Sequence, residues 1–95
     1  MLLNIPYKQN DTVTIKTLAG EEVVSRFIEE TDTTFKVNSP MSIVASQQGI
    51  GLGPFAFTIP PKVDVIINKS AILMITKTDD EMAKQYVQST TGIAI

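Results

Sequence analysis

The chain predicts a mostly β domain of five strands, two of them bent, followed by a C-terminal helix. Three observations carry that expectation: alternating apolar runs on either side of Gly20, further alternating runs broken by proline and glycine, and apolar residues at helical spacing after Thr78.

The first run, Val13-Thr14-Ile15-Lys16-Thr17-Leu18, meets Ala19-Gly20 and continues as Glu22-Val23-Val24-Ser25-Arg26-Phe27-Ile28-Glu29, which reads as a β-hairpin. The polar stretch Glu29 to Thr33 is turn-forming. Phe35, Val37, Met41, Ile43 and Ala45 then form a third strand, interrupted at Ser39-Pro40. Proline has no N–H for a ladder, so Pro40 belongs at a bulge or an edge, where the strand bends.

Gln47 to Pro54 holds three glycines and a proline and reads as a flexible connection between strands. Phe55, Phe57 and Ile59 alternate, Pro60-Pro61 bends the chain, and Val63, Val65 and Ile67 alternate again. Ala71 to Ile75 is almost continuously apolar, a strand that must be covered on both faces. Thr78-Asp79-Asp80-Glu81 has the spacing of a capping box, with Thr78 as the cap. Met82, Ala83, Tyr86 and Val87 recur on one face of a helix that ends before Gly92 and covers an open end of the sheet structure.

Ninety-five residues form a single domain, with the β part at about 12–77 and the helix at about 79–90. Such a chain buries only about 60 to 65% of its surface when it folds alone, so oligomerisation would stabilise it. Eight basic against ten acidic side chains leave a net charge of −2, which argues against a uniformly basic coat for nucleic acid. Any anion site must be local. The absence of Cys and His excludes thiol nucleophiles, imidazole bases, disulfides and structural zinc. The N-terminus, Met1 to Lys8, lacks the pattern of a secretory signal and no segment has the length of a membrane span, so a cytoplasmic protein without a membrane partner is expected.

Gly49-x-Gly51-x-Gly53 suggests a phosphate loop, but Pro54-Phe55-Ala56-Phe57 follows where a helix N-terminus is required, and a mobile hairpin loop fits better. The acidic clusters Glu29-Glu30-Asp32 and Asp79-Asp80-Glu81 offer carboxylates for Mg²⁺ or acid–base work, yet such runs at turns and helix starts are usually solvated caps. Without a nucleophile–base pair, no enzymatic activity and no cofactor are expected. Lys36 and Lys69 each follow a strand near a turn.

The order Val13-x-Ile15-x-x-Leu18-x-Gly20, then Ile67-Asn68-Lys69-Ser70-Ala71-Ile72-Leu73-Met74-Ile75, resembles the Sm/LSm superfamily, including its bacterial Hfq branch. The resemblance spans roughly Val13 to Ile75. Gly20 matches the turn glycine, Val23 and Phe27 the inward apolar positions, and Asp32-Thr33-Thr34-Phe35-Lys36 resembles the family's Asp-x-x-apolar-Asn segment. Lys69-Ser70-Ala71-Ile72 is similar to the Lys-His-Ala-Ile of the Hfq branch, and the composition is similar to that of Sm-like chains of marine phage.

Three positions depart from the pattern. Ser25 stands at a bend glycine, Thr34 at a base-stacking residue, and Lys36 at a base-reading Asn, which removes the basis for uridine-specific recognition. The resemblance implies a small, strongly bent five-stranded Sm-like (SH3-like) barrel whose fourth and fifth strands pair between neighbouring subunits, in a ring of about five to seven copies. Lys36 and Lys69 would then face a central pore and concentrate positive charge there, with Thr34, Asn38 and Asn68 beside them. The implied function is non-catalytic binding of single-stranded RNA or DNA. The alternative is a structural or protein-interaction module, in which the Gly49 to Gly53 loop and the tail Gly92-Ile93-Ala94-Ile95 meet a partner.

Overall fold

The computed structural model describes residues 7–91; the N-terminal Met1 to Pro6 and the tail Gly92 to Ile95 lie outside the described residues. Six strands and one helix follow in order: β1 Thr12–Thr17, β2 Glu22–Glu30, β3 Thr34–Ser46, β4 Gly49–Pro54, β5 Asp64–Asn68, a 3-10 turn Lys69–Ala71, β6 Ile72–Lys77 and α1 Asp80–Thr91. The strands form one antiparallel sheet in the order β4-β3-β2-β1-β6, with β5 paired to the first half of β3. The sheet is not closed: β5 and β6 do not pair with each other.

The hairpin at Gly20 forms as its pattern predicts. Val13 lies opposite Ser25 and Ile15 opposite Val23, so alternation puts all four on one face. Gly20 sits at φ +98°, in the left-handed region that glycine adopts without steric cost. Val13, Ile15, Val23, Phe27, Phe35 and Val37 form the inner core, against which Val65 and Ile67 of β5 and Ile72 and Ile75 of β6 also pack. Strands at opposite ends of the sheet thus touch the same core. The sheet curls without closing.

Pro40 lies at an irregularity, as a proline must. Val24 pairs with Met41 and Arg26 with Asn38, so Ser25 on β2 faces the two residues Ser39 and Pro40. Ser39 takes φ +54°, and the Ser25 hydroxyl donates to the Asn38 carbonyl at 2.8 Å.

Several expectations are corrected, the first being the count of five strands, to which β4 adds a sixth. The glycine-rich segment is a strand rather than a flexible loop: β4 pairs with β3 from Met41↔Pro54 to Ser46↔Gly49, turning at Gln47-Gln48. The long β3 supplies a ladder of backbone partners that requires no side chain. Phe55, Phe57 and Ile59, in contrast, form bends and turns, because no neighbouring strand accepts their alternation and the flanking prolines lack N–H donors. Phe57 is 92% exposed. The cap of α1 is Asp79, whose Oδ1 accepts the Met82 N–H at 2.9 Å. Thr78 is instead buried, its hydroxyl 2.8 Å from that of Thr14.

Burial on both sides of β2 explains where the helix lies. Val24 lies opposite Thr14 on the face away from the inner core, yet it is fully buried. The Thr14–Thr78 bond and the wholly buried Tyr86 tie the start and middle of α1 to that outer face. Tyr86 donates to the carbonyls of Ser39 at 2.8 Å and Asn38 at 3.0 Å. The helical stripe therefore covers the outer side of the β2–β3 bulge instead of an open end. Among the described residues no helix is long and apolar enough to cross a membrane.

Candidate nucleic-acid interface

Thr34, Lys36 and Asn38 alternate with buried Phe35 and Val37 on β3, and so they share the outer face. On β5 the residues directly opposite are Asn68, Ile66 and Asp64. Four of the five residues singled out in the sequence, Thr34, Lys36, Asn38 and Asn68, therefore meet on one two-stranded surface.

Lys69 takes another direction. It begins the 3-10 turn, its backbone N–H donates to the Thr33 carbonyl at 2.8 Å, and its ammonium lies 5.0 Å from the centre of the Phe35 ring. Phe35 belongs to the inner core, so Lys69 closes the end of that core while Lys36 stays on the outer face.

Each lysine has an acidic partner within the chain. Lys36 Nζ is 3.1 Å from Glu29 Oε1, and Lys69 Nζ is 2.7 Å from Glu30 Oε2. Register is the cause: the β2–β3 hairpin sets Glu29 opposite Lys36 and Glu30 opposite Phe35, next to Lys69. The Glu29-Glu30 pair is thus an ion-pairing element, and among the described residues no three acidic side chains converge on a metal position. Counting residues back from the Thr31 to Thr33 turn reveals this pairing, whereas treating the glutamates as a separate cluster conceals it. Glu30 also acts on Tyr7, whose phenol is raised above its ordinary pKa first by burial and then by the glutamate's negative charge.

The remaining polar groups are partly committed. The Thr34 hydroxyl is 2.7 Å from that of Thr31. Asn38 donates through Nδ2 to Asp64 Oδ1 at 2.8 Å and to the Lys62 carbonyl at 3.3 Å, and its Oδ1 accepts from the Ser39 hydroxyl. The Asn68 side chain makes no capping bond to the 3-10 turn. As it stands, the surface offers the exposed Asn68 amide and Lys36, with Lys69 beyond its edge, and each lysine is held in an ion pair. Their side chains remain about one-third exposed, at 35% and 32%.

No family model and no curated protein matches this chain.

Proposed function

We propose that the chain assembles edge to edge into a homo-oligomeric Sm-like ring that binds single-stranded nucleic acid, RNA or DNA, in the cytoplasm and without catalysis. The observation that carries this reading is the state of the last two strands. Among the described residues β5 pairs only with β3 and β6 only with β1, which leaves one backbone edge of each unpaired. Ile66, Leu73 and Met74 on these strands are 63%, 66% and 44% exposed, although their segments have the apolar composition of covered strands. Pairing β5 of one protomer with β6 of the next satisfies both edges, covers this surface and completes a barrel-like closure.

Assembly then repeats the Thr34, Lys36, Asn38 and Asn68 surface around the ring, with Lys69 at its inner border. Exposed ion pairs contribute at most about 1 kcal/mol, so a phosphate can replace Glu29 or Glu30 as the lysine's partner. Stacking is missing because Thr34 has no ring, and the expected binding is salt-dependent and weakly selective for sequence.

Native mass spectrometry after mixing with a pool of short single-stranded RNA tests the reading. A closed ring that retains RNA is the expected result, and a monomer or dimer would sink it. Lys36→Ala combined with Lys69→Ala should weaken binding and flatten its salt dependence while leaving the oligomer intact.

The second reading, a protein-interaction module, is favoured by one observation: both lysines are already neutralised by Glu29 and Glu30. A ring that binds no oligonucleotide at low salt would select it.

A further inference from the structure

A groove of about 680 Å³ runs between the Gly53 to Lys62 segment and the last turn of α1, a volume ordinary for small-molecule sites. Its walls are apolar, with Leu52, Pro54, Phe55, Phe57 and Ile59 among them. No side chain from Val37 to Pro61 carries a charge. Ser39, Lys62, Thr90 and Thr91 also line a smaller recess, which Arg26 and Asn38 complete, so the groove runs into a polar end.

The hydrogen-bonding state of that end selects the ligand. The Ser39 hydroxyl is spent on Asn38, the Asn38 amide on Asp64 and Lys62, and the Thr90 and Thr91 hydroxyls on the helix carbonyls of Tyr86 and Val87. Asp64, the carboxylate opposite Asn38 on β5, accepts from the Asn38 amide. Arg26 and Lys62, in contrast, enter no ion pair among the described residues. Both carry only donors, and both are positive. Register explains the position of Arg26: it lies opposite Asn38, beyond which stands Asp64, so one cross-strand row carries it to the recess.

We infer that this groove is a binding site for a linear aliphatic carboxylate, its chain along the Leu52, Phe55 and Phe57 wall and its carboxylate between Arg26 and Lys62. An apolar chain gains from covering these side chains, and an anion matches a recess whose two charged side chains, Arg26 and Lys62, are both positive and in no ion pair among the described residues. Of the residues on the nucleic-acid surface only Asn38 also lines the recess; Lys36, Lys69, Thr34 and Asn68 do not, so substitutions at Arg26 and Lys62 test this site without touching the lysines of that surface.

Calorimetric titration of the full chain with decanoate, below its micelle concentration, tests the inference against 1-decanol as the uncharged control. Decanoate should bind and 1-decanol should bind at least about tenfold more weakly, since the charge-assisted bonds are lost. Arg26→Gln and, separately, the exposed Lys62→Gln should each weaken decanoate by about tenfold while the unfolding midpoint of Lys62→Gln stays that of the parent. Equal affinity for the alcohol, or no effect from either substitution, would overturn the carboxylate assignment. Binding of an apolar peptide acid without binding of decanoate would overturn the ligand class. Decanoate binding only after removal of residues 92–95 would make the chain itself the occupant and likewise overturn the proposal.

Discussion

The Tyr86 hydroxyl meets the Ser39 carbonyl at 2.8 Å, and through the adjacent Asn38 carbonyl at 3.0 Å it holds both peptide oxygens at the bulge of β3. The Asn38 carbonyl also receives the Ser25 hydroxyl. A strand that departs from its ladder around Pro40 thereby recovers hydrogen bonds from a helix far along the chain.

Tyr86→Phe keeps the ring and deletes the donor, which leaves a buried carbonyl under-satisfied. The expected loss is about 1 to 3 kcal/mol in urea unfolding. Tyr86→Ala adds a cavity beneath α1 and should cost about 3 to 5 kcal/mol, with loss of helical signal. Equal stability of Tyr86→Phe and the parent would remove the bulge from the account.

Burial raises the Tyr86 phenol above its ordinary pKa, and the positive Arg26 offsets part of the rise. The neutral form is the one the fold favours. Stability from this group is complete below the unfolded tyrosine value of about 10 and is lost as pH rises towards the folded value. Urea midpoints should therefore decline above about pH 10, more steeply in the parent than in Tyr86→Phe. Tyr7, raised by burial and Glu30, contributes in the same direction, and the Tyr7→Phe variant separates the two.

Glycine substitutions distinguish turn from strand. Gly20→Ala forces a Cβ into φ +98° and should cost about 1 to 2 kcal/mol. Gly51 is outside the left-handed region with nothing within 4 Å of an added Cβ, so Gly51→Ala should be neutral or stabilising by up to about 1 kcal/mol. At Gly53 the Cβ would stand 3.0 Å from Val44 Cγ2, and Gly53→Ala should be the worse of the two strand variants. A melting temperature for Gly51→Ala well below that of the parent would contradict the assignment of this segment as a strand.

Removing the glutamates tests the lysine pairs in the opposite sense from removing the lysines. Glu29→Gln with Glu30→Gln frees Lys36 and Lys69, and single-stranded RNA should bind several-fold tighter with a steeper dependence on salt. Fluorescence anisotropy at two salt concentrations reads both quantities. Unchanged affinity would separate these lysines from any phosphate contact.

Leu73→Asp places a charge on the exposed face of β6, 66% accessible in the single chain. With the inner core untouched, circular dichroism should keep its β signal, and if the proposed ring forms through β6, sedimentation should show the variant as a monomer where the parent is an oligomer. An oligomer that survives would move the interface to another surface.

Local pattern alone specified much of this molecule. Alternation placed Val13, Ile15, Val23, Phe27, Phe35 and Val37 inward, Gly20 marked its turn, Pro40 marked the bend, and the spacing from Met82 to Val87 marked α1, because each signal depends only on near neighbours and backbone sterics. What depended on distant partners was decided in three dimensions. Glycines at 49, 51 and 53 became a strand because β3 lay alongside, and Phe55 to Ile59 stayed irregular because nothing did. Thr78 gave up the helix cap to Asp79 because its hydroxyl met Thr14. Lys36 stayed on the outer face by alternation along β3 and Lys69 left it with the 3-10 turn, while strand register set Glu29 opposite Lys36 and brought Glu30 to Lys69. A side chain's type can be read in one dimension, but its charge partner is set by register, a property of two strands together.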